Sequence, residues 1–146
     1  EVVNAGRLGV AATILTGVTL GLGLVIFSGP LSVLLVKPDA VIDGVRIAPA
    51  IASLLFLASV MTVFDGIQAT ASFALRAQEI VWSPSLIHIG SFFLVMLPAC
   101  YWLGIVQGHG AKGMMEGALI GVFVAGTLQT LMLELKAARP LKGHAA

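Results

Sequence analysis

The chain has 146 residues, of which 58% are apolar and 10% charged, with mean hydropathy +1.04 and formal net charge +1. Soluble domains carry about 25% charged residues, so a water-soluble globular domain is excluded. Nucleic acid is excluded as a partner as well, because phosphate binding needs a basic surface.

A hydrocarbon core about 30 Å thick is crossed by about 20 apolar residues in a helix. The first uncharged run, Leu8 to Val36, is broken at Ser28-Gly29-Pro30, because proline lacks an amide donor and glycine adds backbone freedom. The first predicted span therefore covers residues 8–29. Leu31 to Val36 is too short to cross and is expected to lie at the interface, before the polar stretch Lys37 to Arg46. The second span, 47–75, is bounded by Arg46 and Arg76 and interrupted by Asp65 alone. In the third uncharged run, Ser83-Pro84 and Gly108-His109-Gly110 act as turn signals, which trims the span to 85–105. Trp82, Tyr101 and Trp102 stand near its ends, where amphipathic rings favour the headgroup zone. The fourth span, 113–135, gives way to Lys136, Arg139-Pro140 and Lys142.

Four crossings place Arg7, Arg76, Lys136, Arg139 and Lys142 on one side, against Lys37, Arg46 and Lys112 on the other. The more basic side is expected to be cytoplasmic, with the C-terminus on it. Gly9, Thr13, Gly17 and Gly21 in the first span, and Gly113, Gly117 and Gly121 in the fourth, form ridges of small residues. Such ridges let helix backbones approach closely where no hydrophobic effect drives association. Cys100 stands alone in an apolar run, which leaves no internal disulfide and points to a packing role. The opening Glu1-Val2-Val3-Asn4, without an initiator methionine, reads as a fragment of a longer chain.

Asp65 precedes Arg76 by eleven positions, roughly 16 Å along a helix, which puts it near the bilayer midplane. At about 100° per residue, Thr62, Gln68, Ser72 and Arg76 all fall within about 60° of Asp65. That polar face is expected to line a cavity or meet other helices. An aspartate at a helix centre costs about 2.5 to 3.5 kcal/mol to insert. Keeping a carboxyl with a reference pKa near 3.9 protonated at pH 7 costs about 4 kcal/mol. With the two costs comparable, a proton, a bound cation or a cationic substrate can each neutralise the group, and each competes with the others. The plainer alternative is an acid paired with an arginine or lysine on a helix that is not part of these 146 residues, or hydrogen-bonded to Gln68 and Ser72.

Glu116 is read as an interfacial acid at the start of the fourth span, one turn from Lys112. His88 is expected to hydrogen-bond to a neighbouring helix, although it can titrate near neutrality. His109 and His144 are expected to face solvent. Arg76 is expected to snorkel to headgroups or cap carbonyls, with a gate salt bridge as the alternative. The chain lacks His-Glu-x-x-His, Gly-x-Ser-x-Gly and a phosphate-binding glycine loop. A hydrolase and a nucleotide-driven pump are therefore not expected, and no cofactor is.

Phe64-Asp65-Gly66-Ile67-Gln68-Ala69, followed by Leu75-Arg76 and then Pro84, resembles the multidrug and toxic compound extrusion (MATE) family of secondary transporters. The tenth helix of that family commonly reads Phe-Asp-x-x-Gln and ends in Leu-Arg-Gly, with an Asp-Thr pair and a proline following. Here Ala77 replaces the glycine and Ile80 stands where the aspartate is usual. Ile87-His88-Ile89-Gly90 is similar to the eleventh helix, which usually has asparagine at the place of His88. Pro98 with Tyr101, and the spacing of Gly113, Gly117 and Gly121, are similar to features of the eleventh and twelfth.

The resemblance implies an all-α integral membrane fold in which residues 1–146 are the last third of a twelve-helix transporter in the plasma (inner) membrane. It implies two lobes that rock to export organic, often cationic compounds against entering sodium ions or protons. Asp65 then contributes to a cation or proton site, while Thr62, Gln68 and Ser72 enter only through the helical-face argument. The implied partners are the lipid bilayer, organic cation substrates and the N-terminal helices of the same transporter. Two other readings are a flippase for lipid-linked saccharides in the same superfamily, and a non-transporting four-helix membrane subunit.

Overall fold

Each apolar run folds as a helix, since a backbone in lipid must satisfy its own hydrogen bonds. The computed structural model describes residues 2–37, 39–42 and 44–137. Pro38, Arg139, Pro140, Lys142 and His144, which enter the charge and loop expectations, lie outside the described residues.

Helix α1 spans Val2–Ile26 and α2 spans Ser28–Leu35. The break falls at Phe27 (φ −90°, ψ 2°), two residues earlier than the expected end at 29. Pro30 explains the difference. Its ring excludes the carbonyl four residues back, that of Ile26, so the first helix ends there. Pro30 then sits in the first turn of α2, where a missing donor costs nothing. The α2 helix packs against the next long helix.

The polar connection carries one departure from an all-helical chain, a ribbon of β1 (Val41–Ile42) and β2 (Val45–Arg46). The strands are antiparallel, with Val41 opposite Arg46 and Ile42 opposite Val45. Gly44 supplies the positive φ (78°) that the tight turn demands.

Helix α3 spans Ile47–Arg76, one residue beyond the predicted end. Ile80 N–H donates to the Leu75 carbonyl and Glu79 N–H to the Arg76 carbonyl, at 3.1 and 2.9 Å. These are the two bonds of a Schellman stop, with Glu79 in its left-handed position (φ 63°).

Helix α4 spans Trp82–Val106, starting before the predicted residue 85, because Pro84 occupies its first turn instead of ending the loop. Two stretches, Ser91–Met96 and Trp102–Val106, are wound as π-helix on either side of Pro98. Leu97 N–H and Gln107 N–H reach back five residues, to Phe92 and Trp102. Pro98 cannot donate to Leu94, and widened turns are one way a helix accommodates such a gap. Helix α5 spans Gly110–Ala137, beginning three residues before the predicted start.

The helices stand in the spatial order α1, α3, α5, α4, with close packing between successive members. The glycine ridges make two of those seams, α1 with α3 and α5 with α4. A β-carbon at Gly17 would lie 3.2 Å from Val63 Cα on α3, and one at Gly117 would come within 2.6 Å of Cys100 Cα on α4. Much of the remaining surface is apolar and exposed, including Leu15, Phe73, Leu94 and Leu135. Lipid, or further helices, is the surrounding that such a surface requires.

Candidate functional site

Asp65, Gln68, Ser72 and Arg76 follow the three- and four-residue spacing that keeps side chains on one helical face. All four line a single cleft of about 400 Å³, whose far wall is Ser85 and His88 of α4 and whose inner wall includes Gln129 of α5. Thr62 does not join them. It lines a larger apolar hollow with Thr19, Phe27, Pro30 and Leu34, and its hydroxyl donates to the Ala58 carbonyl at 2.8 Å. Thr62 and Gln68 lie about 60° to either side of Asp65 around the helix. One flank faces α1 and α2, the other α4 and α5, so one polar stripe is divided between two hollows.

Asp65 is exposed to the cleft, and among the described residues nothing lies in salt-bridge or hydrogen-bond contact with it. Arg76 is exposed at the end of the same cleft. Gln68 is buried at 4% exposure, and its Nε2 donates to Nδ1 of His88. The His88 ring lies against Phe92, with centroids 5.0 Å apart. This is the neighbouring-helix hydrogen bond expected for His88.

Gln129 is buried at 1% exposure and donates from Nε2 to the Pro84 carbonyl at 3.1 Å, tying α5 to the start of α4. The Oε1 atoms of Gln68 and Gln129 are both buried without a hydrogen-bond partner among the described residues. An unsatisfied buried acceptor costs about 1 to 3 kcal/mol, so the helices beside this cleft carry two such costs. Sequence reasoning missed Gln129. The available signal was a glutamine within an uncharged stretch of a membrane span, since polar groups in such helices turn toward the interior.

The remaining polar residues sit apart from the cleft. Glu116 lies 3.8 Å from both Lys112 and His109, almost two turns into α5. Cys100 donates its thiol to the Met114 carbonyl at 3.2 Å, a packing role. Arg7 of α1 grips Glu134 of α5 with Nε to Oε1 at 2.9 Å and a second contact from Nη2 to Oε2.

The chain is 31% identical to the multidrug resistance protein NorM of Burkholderia vietnamiensis over 128 residues, 82% of this chain and 28% of that protein. The chain belongs to the multidrug and toxic compound extrusion family. Similarity of the same kind joins this MATE chain to the probable multidrug resistance protein NorM of Chromobacterium violaceum, at 31% identity over 131 residues, covering 84% and 28% of the two chains. The NorM of Caulobacter vibrioides, also named probable, is 38% identical over 71 residues, 49% of this chain and 15% of that protein. The MATE chain therefore spans between 15% and 28% of the length of these curated relatives. No family model matches it, and no solved structure does. With four helices among the described residues long and apolar enough to cross a bilayer, it is an integral membrane protein.

Proposed function

We propose that residues 1–146 form the C-terminal third of a twelve-helix secondary transporter. It exports organic, often cationic compounds from the cell in exchange for sodium ions or protons, by alternating access across the inner membrane. The C-terminus lies on the cytoplasmic side. The observation that carries this reading is the placement of Asp65, a carboxylate within a membrane helix, opening into a polar cleft. Among the described residues it has no basic partner within 4.0 Å. The names of the relatives, which speak of multidrug resistance and not of an enzyme, support the same reading.

The chemistry follows from cost. A permanent charge at that depth is penalised by about 2.5 to 3.5 kcal/mol, so the cycle keeps the group neutralised by one cation or another. On one side of the membrane the neutraliser is the incoming sodium ion or proton; on the other it is the outgoing organic cation. Because the occupants compete for one carboxylate, arrival of one releases the other. Gln68 and Ser72 line the path beside Asp65, and Arg76 at the mouth of the cleft disfavours cations lodging there.

The test is Asp65→Asn in the full-length transporter that carries this segment, reconstituted in vesicles and assayed for cation-driven efflux of a fluorescent organic cation. Asparagine keeps size and polarity while removing the charge and the proton. Loss of gradient-driven exchange is the expected outcome. Coupling at the wild-type level would remove Asp65 from the mechanism.

A further inference from the structure

The group in the cleft that the exchange scheme leaves unused is His88, and its surroundings specify a protonation-dependent contact. Gln68 presents its amide nitrogen to Nδ1 of His88. An amide nitrogen can only donate and an amide oxygen can only accept, so with the nitrogen toward the ring the contact suits a bare Nδ1. Once Nδ1 takes a proton, two donors face each other and the contact becomes repulsive. The amide has a way out, because its other end, Oε1, is buried and without a partner. Half a turn about the last side-chain torsion brings Oε1 to Nδ1–H and makes a charge-assisted bond, about twice as strong as a neutral one. The presence or absence of a proton on Nδ1 therefore decides which end of the amide faces the ring.

We propose that His88 is a second proton-carrying residue of the cleft and that Gln68 is its positioning residue, turning its amide as His88 gains or loses a proton. The charged groups lining the same cleft are Asp65 and Arg76, both on α3; α4 adds no other titratable group to it, and α5 contributes the uncharged Gln129. The proton enters from water in the cleft, binds Nδ1 and leaves by the same atom, with no other bond made or broken. Protonation adds a positive charge to a space that also holds the organic cation. Acid pH therefore weakens cation binding through His88 separately from competition at Asp65. This inference rests on the proposed transport function for its substrate class.

The experiment is equilibrium binding of tetraphenylphosphonium to the full-length transporter between about pH 6 and pH 8, the interval in which imidazoles change charge. Wild type is expected to lose affinity severalfold in a step as the pH falls. His88→Asn is expected to shrink that step to the part due to competition at Asp65, because the asparagine oxygen still accepts from Gln68 and does not titrate. Gln68→Met is expected to keep a step with a displaced midpoint, a change that a merely structural glutamine would not produce. A step of undiminished size in His88→Asn overturns the proposal, and so does its absence in wild type. Should His88→Asn fail to insert, His88→Gln supplies the same acceptor and makes the same test. The two proposals fail separately. If Asp65→Asn keeps normal exchange while His88→Asn shrinks the step, the exchange scheme falls and the His88 role stands; the converse pattern keeps the exchange scheme and removes the His88 role.

Discussion

At the scale of single residues, Gln129 joins two helices with one end of its amide and leaves the other end unpaired in the wall of the cleft. A net hydrogen bond contributes about 1 kcal/mol, whereas an unsatisfied buried acceptor costs about 1 to 3 kcal/mol. Gln129→Leu removes both at nearly constant volume. The melting temperature of the purified transporter is thus expected to stay level or rise, while organic-cation transport falls. A marked drop in melting temperature would show that the latch to Pro84 outweighs the orphaned oxygen. Asp65, the residue that makes the cleft chemically distinctive, is legible in the sequence, since one acid in an apolar span has few bland explanations. Its companions are only half legible. Helical angles place Thr62 and Gln68 at equal offsets from Asp65, and angles measured on one helix cannot say which neighbour stands on which flank.

At the scale of elements, proline marks explain most differences between expected and observed boundaries. Pro30 and Pro84 each open a helix, although the sequence pattern has them ending a span or lying outside one, because a proline in the first turn forfeits no bond. Pro98 interrupts nothing and is flanked by π-wound turns, which no apolar pattern announces. The stop after α3 is the opposite case, since its bonds are those of a glycine-ended helix while its left-handed position holds Glu79. A left-handed conformation costs a residue with a β-carbon about 1 to 2 kcal/mol. Glu79→Gly is therefore expected to stabilise the protein by about 1 kcal/mol, a gain offset in part by the greater freedom glycine has when unfolded. Chemical denaturation in detergent checks it, and an unchanged midpoint would argue that residue 79 does not hold a left-handed conformation in solution.

At the scale of the whole molecule, the number of crossings and their alternating sense can be read from apolar runs and breaks. The neighbour order α1, α3, α5, α4 cannot, because chain order says little about which helices touch. The glycine ridges come nearest, as close seams are expected along both and are found between α1 and α3 and between α5 and α4. Arg7 and Glu134 give this arrangement its sharpest test. They sit at the same end of two helices that otherwise touch lightly, and their paired contacts span from α1 to α5 beside α3. The side chains are 54% and 42% exposed, so solvent screens the pair and its contribution shrinks as salt rises. Arg7→Glu and Glu134→Arg are each expected to lower the melting temperature at low ionic strength, since each sets like charges face to face. Combining them restores an ion pair of reversed sense and is expected to recover most of the loss. At high salt all three variants should converge on wild type. Single variants that lose stability without mutual rescue would mean that these two helix ends do not meet, and with that the order of the row would have to be redrawn.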